Sequence, residues 1–484
     1  MRFNRACILS IALVPVSCAV AAETTAPVEE RFIFEANSGE TVEAWRGSLG
    51  VPENRSDPDS RKIRIHYVRF PATGDKKGPP IVYLAGGPGG SGIGAAKWRR
   101  FPLFMAMREF GDVIALDQRG TGASADAPVC RSSHFVPADR PVGEEEFVRL
   151  HRSAAAECAA FWKANGVDIH GYTTRESVAD LDALRRHLGA EKIVLWGISY
   201  GSHLAFAALK DMGDRIDRVV ISSAEGLDQT VKLPARTDAY FDRLQAALNA
   251  DPAAARLMPD IKAMIRSVHA RLDEAPVMLS IPQKDGDPAP LLLDKRAMQM
   301  IASYMISDPE NAVQLLQIYL AASQENFDPA VQILQRVYVP GAPIVFHAMP
   351  LAMDMASGVS EARLAIIEEQ AKTSLLGKML NFPMPQVRGA IPGLDLGDDF
   401  RSGPQSDVPT LLLTGTLDGR TYVEGQAEAV AGLENLRQVM VVNAGHNLFM
   451  SSPEVTETIL TFMRGEPVTT RKIIIAPPSL SSRD

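Results

Sequence analysis

An apolar run of β-forming residues, Ile193 to Trp196, enters the pentapeptide Gly197-Ile198-Ser199-Tyr200-Gly201, and Ser202 to Lys210 then reads as helix. A serine between two glycines at a strand-to-helix turn has a specific use. The turn lifts the serine hydroxyl clear of the carboxyl edge of a sheet and aims the next backbone N–H, that of Tyr200, at the spot where an oxyanion develops. Ser199 is therefore the expected nucleophile, and the expected scaffold is an α/β fold with a mostly parallel sheet flanked by helices.

A serine hydroxyl reacts well only when a base takes its proton, and the base needs a carboxylate to fix its tautomer and stabilise the imidazolium. Both are expected at later strand ends, where sheets of this kind gather their ligands. Asp418 follows the Thr410–Thr414 run, and His446 follows Arg437–Val442 in a glycine-flanked loop. Asp407 precedes its strand and Glu424 reads as the first turn of a helix, so Asp418 is the better acid. Of the 9 histidines, His446 alone lies beyond His347, while His203 sits on the helix after Ser199 and reads as a packed helix residue. The chain order is then Ser199, Asp418, His446.

Ahead of this, Pro80–Leu84 reads as a strand running into Ala85-Gly86-Gly87-Pro88-Gly89-Gly90-Ser91-Gly92. No Lys-Ser/Thr follows, so the loop is not a phosphate cradle. Free of side chains, it can bring the Gly87 N–H to a substrate oxygen as the second oxyanion donor, beside Tyr200. Trp45–Val51 and Ile63–Phe70 read as an antiparallel hairpin at a sheet edge. Asp117 and Arg119 follow the Val113–Leu116 strand and are expected to pair with each other across a sharp turn. From 227 to 401 the pattern is helical and broken by prolines, too long for a loop and thus an inserted helical lid. The expected organisation is a leader at 1–22, core at 23–226, lid at 227–401, core at 402–466 and a tail at 467–484, which is either an edge strand or disordered.

The leader reading rests on Arg2 and Arg5, the apolar Ala6–Val16 and the small-residue site Ala19-Val20-Ala21, and it implies export to a periplasm or beyond. Removing it leaves Cys130 and Cys158 as a lone pair in a compartment that permits oxidation. They are expected to form a disulfide, the other reading being two small buried side chains. With a formal net charge of −8 and no basic cluster, nucleic acid is not an expected partner. No run after the leader is long and apolar enough for a transmembrane segment.

Taken together, Ala85–Gly92, Asp117-Gln118-Arg119-Gly120-Thr121-Gly122-Ala123-Ser124, Trp196–Gly201, Asp418 and Gly445-His446 resemble the prolyl iminopeptidase and tripeptidyl aminopeptidase branch of the α/β-hydrolases. Val51-Pro52 and the cysteine pair are similar to the secreted tripeptidyl aminopeptidase side. Ala85 stands where prolyl iminopeptidases usually carry His, and Gly419-Arg420-Thr421-Tyr422 replaces the Thr-Pro that often follows the family's Asp. The resemblance implies an α/β-hydrolase fold and release of residues from peptide N-termini through an acyl-enzyme, with neither metal nor cofactor. It also implies an anion for the substrate ammonium, for which Glu225, just beyond the Arg218–Ser222 strand, is the candidate; lid acids such as Asp354 are the alternatives. The same triad serves a carboxylic-ester hydrolase, so peptide and small ester both stand as substrates; a non-enzymatic binding protein on this fold is the third reading.

Overall fold

Strands that read as unbroken apolar runs are the ones buried on both faces. A computed structural model describes residues 29–479 except 76, 285 and 337, so the expected leader at 1–22 lies outside the described residues. In chain order the strands are β1 (Glu30–Glu35), β2 (Thr41–Pro52), β3 (Lys62–Phe70), β4 (Ile81–Leu84), β5 (Val113–Leu116), β6 (Cys130–Arg131) and β7 (Ile193–Ile198). They continue with β8 (Ile216–Ser222), β9 (Val277–Ile281), β10 (Ala289–Leu293), β11 (Val345–Phe346), β12 (Thr410–Gly415), β13 (Leu436–Val442) and β14 (Lys472–Ile474). Every residue of β4, β5, β7 and β12 is buried, as parallel strands covered by helices on both sides must be.

A 10-stranded sheet has the order β1-β2-β3-β5-β4-β7-β8-β12-β13-β14. Neighbours from β5 to β14 run parallel, while β1, β2 and β3 pair antiparallel at one end. The expected hairpin forms with Val51 opposite Ile63, but it is not the edge. β1 covers it, because Phe34 packs against Phe70 at a ring separation of 4.9 Å and so draws a short segment onto the sheet. At the other end the tail supplies β14 as the edge strand beside β13.

The helix Thr174–His187 and the helix Tyr200–Met212 cover one face with Val178, Leu181, Leu184, Leu204 and Leu209. On the opposite face Trp196, Tyr83, Phe104 and Phe449 form an aromatic cluster under the helices Phe101–Met107 and Pro453–Met463. The expected Asp117–Arg119 pair is not made. Asp117 accepts from the Ser91 hydroxyl at 2.6 Å and from the Ile93 and Ala123 N–H groups, whereas Arg119 points into the core and donates to Asp180 at 2.7 Å. Backbone donors satisfy the aspartate locally, so the guanidinium is free to anchor the helix Thr174–His187 instead.

Between β8 and β12 the chain is mainly helical, with Pro234–Leu248, Ile261–Glu274, Lys295–Met305, Pro309–Ser323, Ala348–Ser357 and Glu361–Ala371 among its elements. Its strands, which the mostly helical expectation did not include, are the β9–β10 hairpin and β11, which pairs with β6. The hairpin's Leu279 and Ile281 point into a core of the insert while Met278 is exposed, a period-2 pattern too short to stand out against the helices around it. That insert core also takes in Leu417 and Tyr422, which flank Asp418. Among the described residues no helix is long and apolar enough to cross a membrane.

Cys130 and Cys158 form a disulfide across a separation of 28 residues, tying β6 to the helix Glu144–Ala164. Replacing both by Ala should lower unfolding stability by about 2–4 kcal/mol, checked by denaturant melts of oxidised parent and variant.

Candidate active site

The turn after β7 is built by contacts that admit no side chain. A Cβ on Gly201 would overlap the Leu84 carbonyl, and one on Gly197 would stand 2.7 Å from the Gly201 carbonyl oxygen. Between them Ser199 takes φ 55° and ψ −128°, a sparsely populated conformation that costs about 1–3 kcal/mol and persists only where the surroundings impose it. Its N–H donates to the Ser222 carbonyl at 3.2 Å, which ties the turn to the end of β8. Tyr200 is the first residue of the following helix, so its N–H has no acceptor in a preceding helical turn and lies at the positive end of the helix dipole.

The glycine-rich loop after β4 passes directly over this turn. A Cβ on Gly86 would lie 3.0 Å from the Ser199 Cβ, and Gly87, at φ +127°, is the next residue. The loop, Ser199 and Tyr200 thus share the carboxyl edge of β4 and β7.

Two strands further on, Asp418 is fully buried and accepts from the Arg420 and Thr421 N–H groups, both at 2.8 Å, and from the Thr421 hydroxyl at 2.6 Å. His446 Nδ1 lies 3.0 Å from each of its oxygens. Burial alone would raise the Asp418 carboxyl, but the His446 ring and the Thr421 hydrogen bonds outweigh it and hold the group below its usual range. An ionised carboxylate against Nδ1 places the proton there and leaves Nε2 as the acceptor nitrogen. His446 itself is held by its backbone: its N–H donates to the Ser307 carbonyl at 2.8 Å and its carbonyl accepts from the Ser223 hydroxyl at 2.8 Å.

His203 has no part in this pair. It is fully buried, with Nδ1 3.2 Å from the Gly226 carbonyl and Nε2 3.0 Å from the Ser357 hydroxyl, and burial pushes its pKa down. Glu225 is buried and already carries a cation, with Lys232 Nζ 2.7 Å from Oε2. Burial opposes its charge, yet Lys232 and His203 hold it lower than usual.

Above these groups runs the helix Ala348–Ser357, whose Pro350 comes within 2.7 Å of where a Gly89 Cβ would stand and whose Met353 sulfur accepts from the Tyr200 hydroxyl at 3.0 Å. Its Asp354 makes no side-chain hydrogen bond or ion pair among the described residues. Burial pushes its carboxyl up to about 7; Lys232 and Arg420 pull the other way and Glu225 adds to the rise. Lys232, Thr421, Ser223 and Ser307 are site residues that the motifs do not reveal. Thr421 lies three residues after the expected acid, but nothing in the sequence told that its hydroxyl donates to Asp418.

The family model described as alpha/beta hydrolase fold matches residues 79–453. Serine protease Hip1 of Mycobacterium tuberculosis is 32% identical over 184 residues, which are 37% of this chain and 35% of that protein. Tripeptidyl aminopeptidase of Streptomyces coelicolor is 30% identical over 191 residues, 37% of this chain and 34% of that one. Carboxylesterase B of M. tuberculosis is 28% identical over 277 residues, 53% of this chain and 50% of that one. The matched segments thus span between 34% and 50% of these relatives' own lengths. With its sheet order, its strand-to-helix turn and a family match over residues 79–453, the chain belongs to the α/β-hydrolase family.

Proposed function

We propose that the protein is an exported serine aminopeptidase of the prolyl or tripeptidyl kind, with Ser199 as nucleophile, His446 as general base and acid, and Asp418 as the carboxylate that orients it. The observation that carries the serine mechanism is the 3.0 Å approach of His446 Nδ1 to the buried Asp418 carboxylate. Ser199 Oγ attacks the scissile carbonyl carbon while His446 Nε2 takes its proton, and the oxyanion that forms is met by the N–H groups of Gly87 and Tyr200. Collapse breaks the C–N bond, and His446 returns the proton to the leaving amine. Water then attacks the acyl-enzyme ester, again giving its proton to His446, and the Ser199 hydroxyl is restored as the acid leaves. Export is supported by the leader pattern at 1–22 and by the Cys130–Cys158 disulfide.

Of the two candidate carboxylates, Glu225 and Asp354, recognition of a free amino terminus is assigned to Asp354. Lys232 neutralises the first, so the second is the carboxylate open to a substrate ammonium. Its carboxyl titrates at about 7, so below that pH it is a neutral acid and cannot pair with a cation. Peptide α-amines lose their own proton at about 7.7–8.0. The ratio of kcat/KM for a free-amine peptide to that for a small neutral ester should therefore fall as pH drops through about 7 and fall again above about 8. A ratio that stays flat from about pH 5 to about pH 9, a range that brackets both titrations, would remove the ammonium role. Asp354→Asn should flatten the acid limb of that ratio.

A second reading, a carboxylic-ester hydrolase, is favoured by the carboxylesterase B relative. The panel that decides is a set of peptide anilides with free and N-acetylated amino ends beside a nitrophenyl ester. Strong preference for the free amine supports the aminopeptidase; equal rates on both peptides, with faster ester cleavage, support the esterase.

A further inference from the structure

We infer that Asp308 is a positioning residue for the general base, through which the inserted helical segment holds the His446 loop; the inference rests on the serine-hydrolase reading above. The helices Lys295–Met305 and Pro309–Ser323 meet at Ile306-Ser307-Asp308, and this junction touches both loops that carry the His446–Asp418 pair. Asp308 Oδ1 accepts from the Asn447 N–H at 3.1 Å, Oδ2 accepts from the Asn447 amide at 2.8 Å, and the Ser307 carbonyl accepts from the His446 N–H at 2.8 Å. On the other loop, Arg420 donates to the Ser303 carbonyl at 2.9 Å. A Cβ on Gly445 would stand 2.5 Å from Pro309 and 2.8 Å from Asp308 Oδ1, and one on Gly419 would overlap the Ile306 carbonyl. The junction and the two loops fit only because both positions lack a side chain.

A second observation separates this role from ordinary helix capping. Asp251, Asp260 and Asp294 each begin a helix of the insert, and each accepts a hydrogen bond at 2.8 Å from an N–H of its own first turn. Asp308 begins the helix Pro309–Ser323 in the same way, yet its side chain makes no capping hydrogen bond. Both carboxylate oxygens turn away from that helix to Asn447. The amide of Asn447 is oriented for this, since its oxygen accepts from Arg100 Nη2 at 3.0 Å, and Arg100 in turn donates to the Tyr83 hydroxyl at 2.5 Å. His446 is thus gripped from two sides, its carbonyl by Ser223 at the end of β8 and its N–H by the insert. Ser199 is held by its N–H to the Ser222 carbonyl at the end of β8 and not by this junction, so a shift of the junction moves the base relative to the nucleophile.

The test compares the full chain with Asp308→Ala, Asp308→Asn and Asn447→Ala, measuring kcat, KM and thermal midpoint on one ester substrate. Asp308→Ala should lower kcat by up to about 100-fold with KM nearly unchanged, since a base misplaced by about 1 Å costs that much. Asp308→Asn keeps an acceptor for the Asn447 N–H but sets its NH₂ against the Asn447 amide, so it should recover only part of the lost kcat. Should Asp308→Ala fail to fold, Asn447→Ala reports on the same contact and should lower kcat while leaving KM nearly unchanged. Parent-like kcat in Asp308→Ala, or a KM raised as much as kcat is lowered, would overturn the positioning role. A parent chain that a fluorophosphonate does not label would overturn the serine-hydrolase reading itself.

Discussion

Ser199→Ala is expected to lower kcat by about a millionfold, the order of loss that follows removal of a triad serine elsewhere. The magnitude follows from chemistry that no neighbour can replace. Ser202, the nearest serine along the helix, donates to the Ser199 carbonyl at 2.6 Å and accepts from the Glu225 N–H at 2.8 Å, so it is already engaged in holding the turn. Because the glycine contacts at Gly197 and Gly201, not the serine side chain, shape the turn, the variant should keep the parent's circular dichroism and melting profile. Residual turnover comparable with the parent's, in protein free of contaminating hydrolase, would mean that another group attacks the substrate.

Asp418→Asn should cost about 10⁴-fold in kcat with little change in fold, the loss seen when a triad aspartate is made an amide in the serine-protease template. The hydrogen bonds around Asp418 explain why. One oxygen accepts two backbone N–H groups, from Arg420 and Thr421, so in the variant the amide oxygen must stay there. The new NH₂ then faces the Thr421 hydroxyl and His446 Nδ1. The hydroxyl can rotate to accept, but Nδ1 can accept only if the ring carries its proton on Nε2, the nitrogen that must take the proton of Ser199. Steady-state rates of parent and variant, compared from about pH 6 to about pH 10, should show the loss at neutral pH. Retention of most of the activity would remove Asp418 from the assignment.

The positions of Ser199, Asp418 and His446 were legible in the amino-acid sequence because each lies just beyond the carboxyl end of a strand of the parallel sheet, and a strand end is a local signal. The Gly197 and Gly201 positions were legible for the same reason: the turn leaves no room for a Cβ, and that requirement is written in adjacent residues. Contacts across the insert were not. Asp308-Pro309 has the signature of any helix start, and nothing nearby in the chain tells that its carboxylate reaches Asn447, 139 residues away, instead of its own helix. Arg119 misleads for the reverse reason. It stands two residues from Asp117, yet backbone N–H groups and Ser91 satisfy that carboxylate, and the guanidinium goes to Asp180, 61 residues on. Glu225 could be placed at the end of β8 from the strand pattern, but its partner Lys232 lies beyond the point where periodicity stops informing and the packing of the insert takes over.

The assignment of nucleophile and base meets its sharpest test in intact-protein and peptide mass spectrometry after treatment with a fluorophosphonate. A single adduct is expected on the peptide that contains Ser199, formed rapidly in the parent and far more slowly in His446→Ala, because the probe needs both an exposed hydroxyl and a base to take its proton. An adduct on another residue, or none on folded protein under conditions that label a known serine hydrolase, would contradict that assignment.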